Sequence, residues 1–387
     1  MIEGNSKPTL AEPLVSDYRL IARRFAGKYL QPHTKQWDRD QFFPIDTMRL
    51  AGRYGLMGVL VPEKFGGVGL DYHSYVSIIE EISMVDPAVG LSIAAHNSLC
   101  TNHIYLFGDS HQHQRWLRKL AEGTWLGAWG LTEIDAGSDA RGMKTQAVYQ
   151  GDKWVLNGKK NFITHGASSD IAVVLANAVV GGVNKGITTF AVERGTKGFL
   201  AGKKDDKLGM RASETAEMIF QKCVIGENQI LGKVGQGYKQ AMKVLEGGRV
   251  SIAALSLGIA RGAYQAALNH AKKREQFGQP VIDFQAIAFK IAEMATDIEA
   301  SRLLIKSAAQ AVNQNDNPVV PVCMAKLFAS ETCVKVSSES IQIMAGYGYL
   351  KDYPVEKFYR DSKLCTIGEG TSEIQKLILS RKLSKIV

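Results

Sequence analysis

Three Gly-Lys pairs are the first places to look for phosphate chemistry, because a phosphate-cradling loop needs Gly-Lys followed by Ser or Thr to meet the magnesium ion. Gly27-Lys28, Gly158-Lys159 and Gly232-Lys233 are followed by Tyr, Lys and Val, so that route is excluded. His111 and His113 invite a metal reading. Two residues apart on a helix they face different ways, and no Cys or carboxylate stands at ligand spacing, so they read as surface histidines and no metal site is expected. No G-x-G-x-x-G joins a strand to a helix, and neither G-x-S-x-G nor H-E-x-x-H occurs, which removes the usual dinucleotide, hydrolase and zinc patterns. A carboxylate between two glycines remains: Glu369 in Ile367-Gly-Glu-Gly-Thr-Ser-Glu-Ile374. On the residues alone it reads equally as the cap of a helix starting near Thr371 or as a base that accepts a proton.

Groups like these need rigid elements to hold them, and the chain offers three kinds of segment. From Pro13 to about Leu126 apolar residues recur at three- and four-residue spacing, as in Ile78, Ile79 and Ile82, which predicts helices broken at Gly or Pro. Between Gly127 and Gly237 glycine is frequent and short β-branched or aromatic runs alternate with it, which predicts strands. Ala147–Tyr149, Trp154–Leu156 and Asn161–Thr164 are expected to be joined by hairpin turns at Gly151-Asp152 and Asn157-Gly158, with Ile171–Leu175, Thr188–Val192 and Glu217–Phe220 extending the sheet. After Tyr238 long Ala-rich helical patterns return at Ser251–Ala271, Phe284–Gln310 and Val322–Met344, and such helices pack as a bundle. The expected architecture is α+β and multidomain: an N-terminal helical domain over 1–126, a middle β-domain over 127–237 and a C-terminal helical bundle over 238–387.

A chain of 387 residues, 45% of them hydrophobic, can bury a large core, and the composition fits neither a disordered nor a fibrous protein. The net charge of +9 would suit an anionic partner, but Lys and Arg are spread along the chain and the densest cluster, Lys272–Arg274, is three residues long. A nucleotide ligand could use that charge; a nucleic acid would want a basic stripe that is not there. No apolar run approaches the roughly 18 residues that cross a bilayer, and Met1–Leu10 lacks an apolar signal core, so no membrane partner is expected. Cys100, Cys223, Cys323, Cys333 and Cys365 form an odd, widely spaced set and read as reduced thiols of a cytoplasmic protein.

Two longer stretches carry a specific resemblance. Gly130-Leu-Thr-Glu-Ile-Asp-Ala-Gly-Ser-Asp139, with Gly142 after it, resembles the first signature of the acyl-CoA dehydrogenase family of flavoproteins. Gln342-Ile-Met-Ala-Gly-Tyr-Gly-Tyr349, followed by Asp352, Lys357 and Asp361, is similar to the second, and the run around Glu369 resembles the stretch that holds that family's catalytic base. The likeness runs in order over nearly the whole chain. It implies a helical domain, a central β-barrel-like domain and a C-terminal four-helix bundle, with a short-chain, butyryl-CoA-dehydrogenase-like activity: FAD-dependent α,β-dehydrogenation of an acyl-CoA to a trans-2-enoyl-CoA, as in fatty acid β-oxidation. It further implies a homotetramer that passes electrons to an electron-transfer flavoprotein.

Residue roles follow from the resemblance in the same way. Glu369 matches the base that takes the α-proton. Trp129, Leu131, Thr132, Phe162 and Thr164 match residues around the isoalloxazine, with Phe162 where the family commonly has Trp. Ser138, Glu246, Arg249 and Gly370 match positions on the substrate side, Ser138 lying where cofactor and pantetheine meet. Arg274, Phe277 and Gln285 match residues that hold the FAD pyrophosphate and adenine across a subunit boundary, and Gln342, Gly346, Thr371 and Glu373 match further FAD contacts. Some family members carry the base on an earlier helix, at the position of Gly248, which has no side chain to do so.

Three departures stand out. Ala345 replaces a signature Gly, expected to be absorbed with little effect, and Asp135 replaces a frequent Pro. Gly368 stands where several members have Tyr just before the base, and the space it leaves is expected to favour short or α-branched acyl groups. Rival readings are a flavin oxidase or monooxygenase of the same fold that uses O₂, and a nucleic-acid-binding relative of the fold.

Overall fold

The computed structural model describes residues 17–384, so the polar start at Met1–Leu10 lies outside it. The first part is helical: α1 (Tyr18–Phe25), α2 (Thr34–Asp40), α3 (Ile45–Arg53), α4 (Tyr72–Ser83), α5 (Pro87–Ala94), α6 (Asn102–Phe107), α7 (Ser110–Gln112) and α8 (Arg118–Ala121). Acidic caps fix several of its starts. Asp71 accepts the amide of Ser74 at α4, and Asp86 accepts those of Ala88 and Val89 at α5, where Pro87 pre-sets the first turn. Between α5 and α6 the helix widens into a π-helical turn, Ala95–Thr101, whose residues are all buried.

The middle part is a sheet of β1 (Gly127–Gly130), β2 (Gln146–Gln150), β3 (Lys153–Thr164), β4 (Ile171–Val180), β5 (Val183–Glu193), β6 (Phe199–Lys204) and β7 (Thr215–Gly226). Its order is β1-β4-β2-β3-β7-β6, with β5 on the other side of β4. β1 and β2 run parallel to successive stretches of β4, at Ile171–Val174 and Asn177–Val179. The sheet has its own core, built on Trp154, Phe190, Phe220 and Ile225.

The turn expected at Gly151-Asp152 joins β2 to β3, but the one expected at Asn157-Gly158 is absent. β3 runs straight through, and its pairing with β7 slips between Leu156 and Gly158. Only glycine fits at this bulge, because a Cβ at Gly158, whose φ is 146°, would lie 2.7 Å from Thr145 Cα and 2.4 Å from Thr145 Oγ1.

The last part holds α9 (Gly237–Lys273), the two-residue strands β8 (Glu275–Gln276) and β9 (Gln279–Pro280), α10 (Gln285–Gln314), α11 (Val319–Met344), α12 (Val355–Cys365) and α13 (Ser372–Leu383). α9, α10 and α11 pack on one another, α12 and α13 complete the bundle against α11, and α4 lies along α9. The helical first and last parts share one continuous apolar core. Among the described residues no helix is long and apolar enough to cross a membrane.

Two residues that follow the second signature, Lys357 and Asp361, are structural ties. Lys357 Nζ lies 2.7 Å from Asp361 Oδ2 and 3.4 Å from Asp86 Oδ1, all three buried, and Asp361 Oδ1 accepts the amide of Met210 at 2.5 Å. Burial works against the charge on Lys357, but Asp361 and Asp86 overcome it and hold the ammonium above its ordinary range. The cluster fastens α12 to the start of α5 and to the loop before β7. Lys357→Met should strand two buried carboxylates and cost about 3–5 kcal/mol, read as a lower urea midpoint at unchanged slope. Asp352, by contrast, is exposed and pairs with Lys35.

Candidate active site

Glu369 sits in the link between α12 and α13, and its neighbour rules out the reading as a helix cap. Thr371 caps α13, its side chain accepting the amide of Ile374, so Glu369 is not the cap. The turn places two consecutive residues in the left-handed region, Glu369 at φ 54° and Gly370 at φ 97°. For a glutamate that backbone is strained, and such strain persists only where the surroundings hold it. They do: Gln375 Nε2 donates to the carbonyls of Glu369 (3.4 Å) and Gly370 (3.0 Å), Arg249 Nε to that of Glu369 (3.4 Å) and Lys326 Nζ to that of Gly370 (2.8 Å).

The strained turn aims the carboxyl at α9. An ideal Cβ on Gly248 would lie 1.9 Å from Glu369 Oε2 and 2.9 Å from Leu99 Cδ2, so the carboxyl occupies the notch that the missing side chain leaves. Oε2 is buried and has no hydrogen-bond partner among the described residues. Burial pushes the Glu369 pKa up to about 7, while Arg249 and Lys326 hold it back. A carboxyl that is desolvated, unbonded at one oxygen and half ionised near neutral pH is equipped to take a proton from carbon. Its own amide N–H is bonded to no other described residue.

Leu99 links this notch to the sheet. It packs in one cluster with Ala95, Leu131, Ala136 and Leu245, with Trp129 against that cluster. Trp129 is the third residue of β1, and its Nε1 donates to His103 Nδ1 at 3.0 Å. The other ring nitrogen, His103 Nε2, lies 3.3 Å from Gln240 Oε1, and Gln240 Nε2 donates to the Leu231 carbonyl at 2.9 Å. Burial lowers the His103 pKa to about 4, so the ring is neutral, accepting from Trp129 and donating to Gln240. Thr132 follows on the loop after β1. That loop is held by Lys160, fully buried, whose Nζ donates to the Leu131 carbonyl at 3.1 Å and pairs with Glu133 at 2.7 Å. Burial lowers the Lys160 pKa to about 8 against the pull of Glu133.

Phe162 and Thr164 stand near the end of β3. A second bulge against β7, between Lys160 and Ile163, puts Phe162 at φ 60°, and its ring is 59% exposed, an uncommon state for a large apolar side chain in a strand. Ser138 is exposed on the loop after β1, and Glu246 on α9 is part-buried and paired with Lys243 at 2.7 Å.

Of the remaining matched residues, Thr371 and Glu373 follow Glu369 at the start of α13, and the others make no contact with it among the described residues. Arg274, Phe277, Gln285, Gln342 and Gly346 are exposed, Phe277 at 95%. Arg274 lies over the Tyr347 ring and lines a groove of about 440 Å³ with His270, Tyr347 and Tyr353. Glu373 is exposed in the first turn of α13. Ala345 takes φ 50°, so the methyl group that replaces a signature glycine is met as backbone strain, not as crowding.

Family models for the acyl-CoA dehydrogenase N-terminal, middle and C-terminal domains match residues 16–124, 128–223 and 235–384. The chain belongs to the acyl-CoA dehydrogenase family. It is 41% identical over 365 residues to the short-chain specific acyl-CoA dehydrogenase of Clostridium acetobutylicum, covering 94% of this chain and 96% of that one. Butyryl-CoA dehydrogenase from Megasphaera elsdenii superposes with a TM-score of 0.93 at 39% identity, covering 99% and 100% of the two chains. A chain solved in work on the electron transferring flavoprotein of Acidaminococcus fermentans superposes with a TM-score of 0.92 at 42% identity, covering 95% and 96%. The protein is thus an oxidoreductase of the FAD-dependent acyl-CoA dehydrogenases, with short-chain enzymes among its relatives.

Sequence reasoning missed Lys326, His103, Gln240 and Lys160. A lysine in a helix or strand reads as a solvated side chain, and the His103 to Gln240 contact spans 137 positions. Only the Lys in the Gly-Lys-Lys160 run drew attention, and then for a different chemistry.

Proposed function

We propose that this enzyme dehydrogenates short or α-branched acyl-CoA thioesters, with the Glu369 carboxylate taking the α-proton. The observation that carries the reading is the Glu369 carboxyl itself, desolvated, held in a strained turn and seated in the notch of Gly248. As the proton leaves, negative charge gathers on the thioester oxygen, and the unbonded amide N–H of Glu369 is the chain's own donor for it. Arg249, 6% exposed, sets the floor below the turn, while Ser138, Glu246 and Gly370 line the path of the pantetheine.

The residues present fit FAD. An exposed Phe162 beside Thr164, with Trp129, Leu131 and Thr132 on the adjoining loop, offers a surface for the isoalloxazine, and Gly346 leaves open space where a backbone must approach a dinucleotide. When bound, FAD would supply the acceptor for the β-carbon hydride, which carries both electrons of the oxidation. Arg274, Phe277 and Gln285, exposed in one chain, would reach the pyrophosphate and adenine of a neighbouring copy, with Gln342, Thr371 and Glu373 completing the site; such sharing needs at least two copies, and the family resemblance makes the working unit a homotetramer. The likeness to the Acidaminococcus chain supports an electron-transfer flavoprotein as acceptor, and the reduced, buried cysteines suit a cytoplasmic enzyme.

Gly368 sets the substrate class. A Cβ there would meet only the Leu364 carbonyl at 3.5 Å and Cγ at 3.9 Å, so room for a larger side chain is left unused beside the base. Butyryl-CoA and isobutyryl-CoA should bleach the bound flavin faster than octanoyl-CoA does, and Gly368→Tyr should slow isobutyryl-CoA more than butyryl-CoA. A clear preference of the wild type for octanoyl-CoA counts against this assignment.

A further inference from the structure

Lys326 lies on α11 behind the turn that carries Glu369, and its side chain has no exposed surface. Its ammonium donates to the Gly370 carbonyl at 2.8 Å and forms no salt bridge among the described residues. Burying an ammonium without a carboxylate partner is costly, and a neutral donor would satisfy a peptide carbonyl more cheaply. Gln375 already provides such a donor to the same oxygen, at 3.0 Å. The hydrogen bond alone therefore does not account for a charge at this place.

The electrostatic surroundings give it a task. The groups that act on the Glu369 carboxyl are Arg249 on α9, Lys326 on α11 and Tyr72 and Tyr75 on α4; Glu246 on α9 acts on Tyr72 and Cys323, Cys323 on α11 acts on Arg249 and Lys326, and Cys365 on α12 acts on Lys326. Glu246 is engaged by Lys243, and burial drives the Tyr72, Tyr75 and Cys323 pKa values up, which keeps those groups neutral, while Cys365, its thiol pKa lowered by the hydrogen bond to Cys333, acts on Lys326 and not on Glu369. Two cations are left to offset the desolvation of Glu369. Arg249 reaches the Glu369 carbonyl from one side of the turn and Lys326 the Gly370 carbonyl from the other. Burial lowers the Lys326 pKa, with Glu369 among the groups that oppose the fall, so the two sites are coupled in both directions.

We propose that Lys326 is a positioning residue for the base: its buried charge keeps the Glu369 carboxylate available at neutral pH, and its bond to Gly370 keeps the left-handed turn aimed at Gly248. The assignment rests on Glu369 as the base. Its test therefore reads the carboxyl group directly as well as the turnover.

The FAD-loaded enzyme is titrated by infrared difference spectroscopy, with Glu369→Gln as the blank that isolates the Glu369 carboxyl stretch. Lys326→Met keeps the length of the stem and removes the charge; Lys326→Arg keeps the charge. In Lys326→Met the Glu369 midpoint should rise by at least about one pH unit. At neutral pH the ionised fraction then falls from about one-half to about one-tenth, kcat/KM falls about fivefold, and the loss is recovered near about pH 9. Lys326→Arg should stay near the wild-type midpoint. If Lys326→Met titrates with the wild-type midpoint, Lys326 only fills space and the proposal is overturned, whatever happens to thermal stability. A midpoint that moves while the acid limb of kcat/KM stays put supports the coupling and counts against Glu369 as the base. Should Lys326→Met not fold, Lys326→Gln, which keeps a donor without the charge, is read in the same way.

Discussion

Glu369→Gln should lose about 10²–10⁴-fold in turnover on butyryl-CoA while keeping its full complement of flavin, since amide and carboxylate have nearly the same shape but the amide has no basicity at neutral pH. The same change should make the protein more stable, and the sign follows from the pKa. Burial lifts the Glu369 carboxyl from 4.5 to about 7 in the folded state. Below the unfolded value both states hold the proton and nothing is lost. Above it the unfolded chain ionises first, and the folded state loses stability until its own carboxyl ionises, after which the penalty is constant. That penalty is about 3 kcal/mol, so the variant should gain up to that amount above about pH 7 and nothing below about pH 4.5. Urea melts at the two pH values check it, and an unchanged difference between them would mean that the carboxyl is not desolvated. In the wild type, kcat/KM should rise through about pH 7 as the base ionises. A residue that costs stability where it is needed for turnover is a familiar mark of an active site.

Gly248→Ala tests the seat of the base and not its chemistry. The new methyl carbon would lie 1.9 Å from Glu369 Oε2 and 2.8 Å from its Cδ, whereas carbon and oxygen settle at about 3.4 Å, so the carboxyl must retreat by about 1.5 Å. A displacement of that size at a reacting atom costs on the order of 10²-fold in kcat. The fold should not suffer, because the groups in the way, the Glu369 carboxyl and Leu99 Cδ2, end side chains and not backbone, and alanine favours helix α9 by about 1 kcal/mol over glycine. The expected outcome is a slow but well-folded, flavin-loaded enzyme. Loss of folding in step with activity would show that Gly248 serves packing against Leu99 alone, and wild-type turnover would show that the carboxyl is not held where it works.

How much of this could be read from the amino-acid order differs from element to element. The long helices were legible because their apolar periodicity extends over many turns, and strands such as Ile171–Leu175 because a buried run of β-branched residues has few alternatives. Asn157-Gly158 misled. The pair tolerates a hairpin turn locally, but the choice between turn and bulge is made by Thr145, which crowds Gly158 across the sheet. Lys357 and Asp361 were visible as a motif, yet their purpose, a buried tie to Asp86, depends on a partner 271 positions away.

At the site the same division holds. The sequence alone determined the family, through three signatures in register, and with it the candidacy of Glu369, which a local reading left balanced between cap and base. The tertiary structure decided that Thr371 does the capping, that the carboxyl turns back into the space of Gly248, and that Lys326 and Arg249 flank it from two other helices. A short motif is a statement about neighbours along the chain, whereas the basicity of a carboxyl is set by burial and by charges that reach it through space. Those come from α9, α11 and α13, which meet only when the bundle closes.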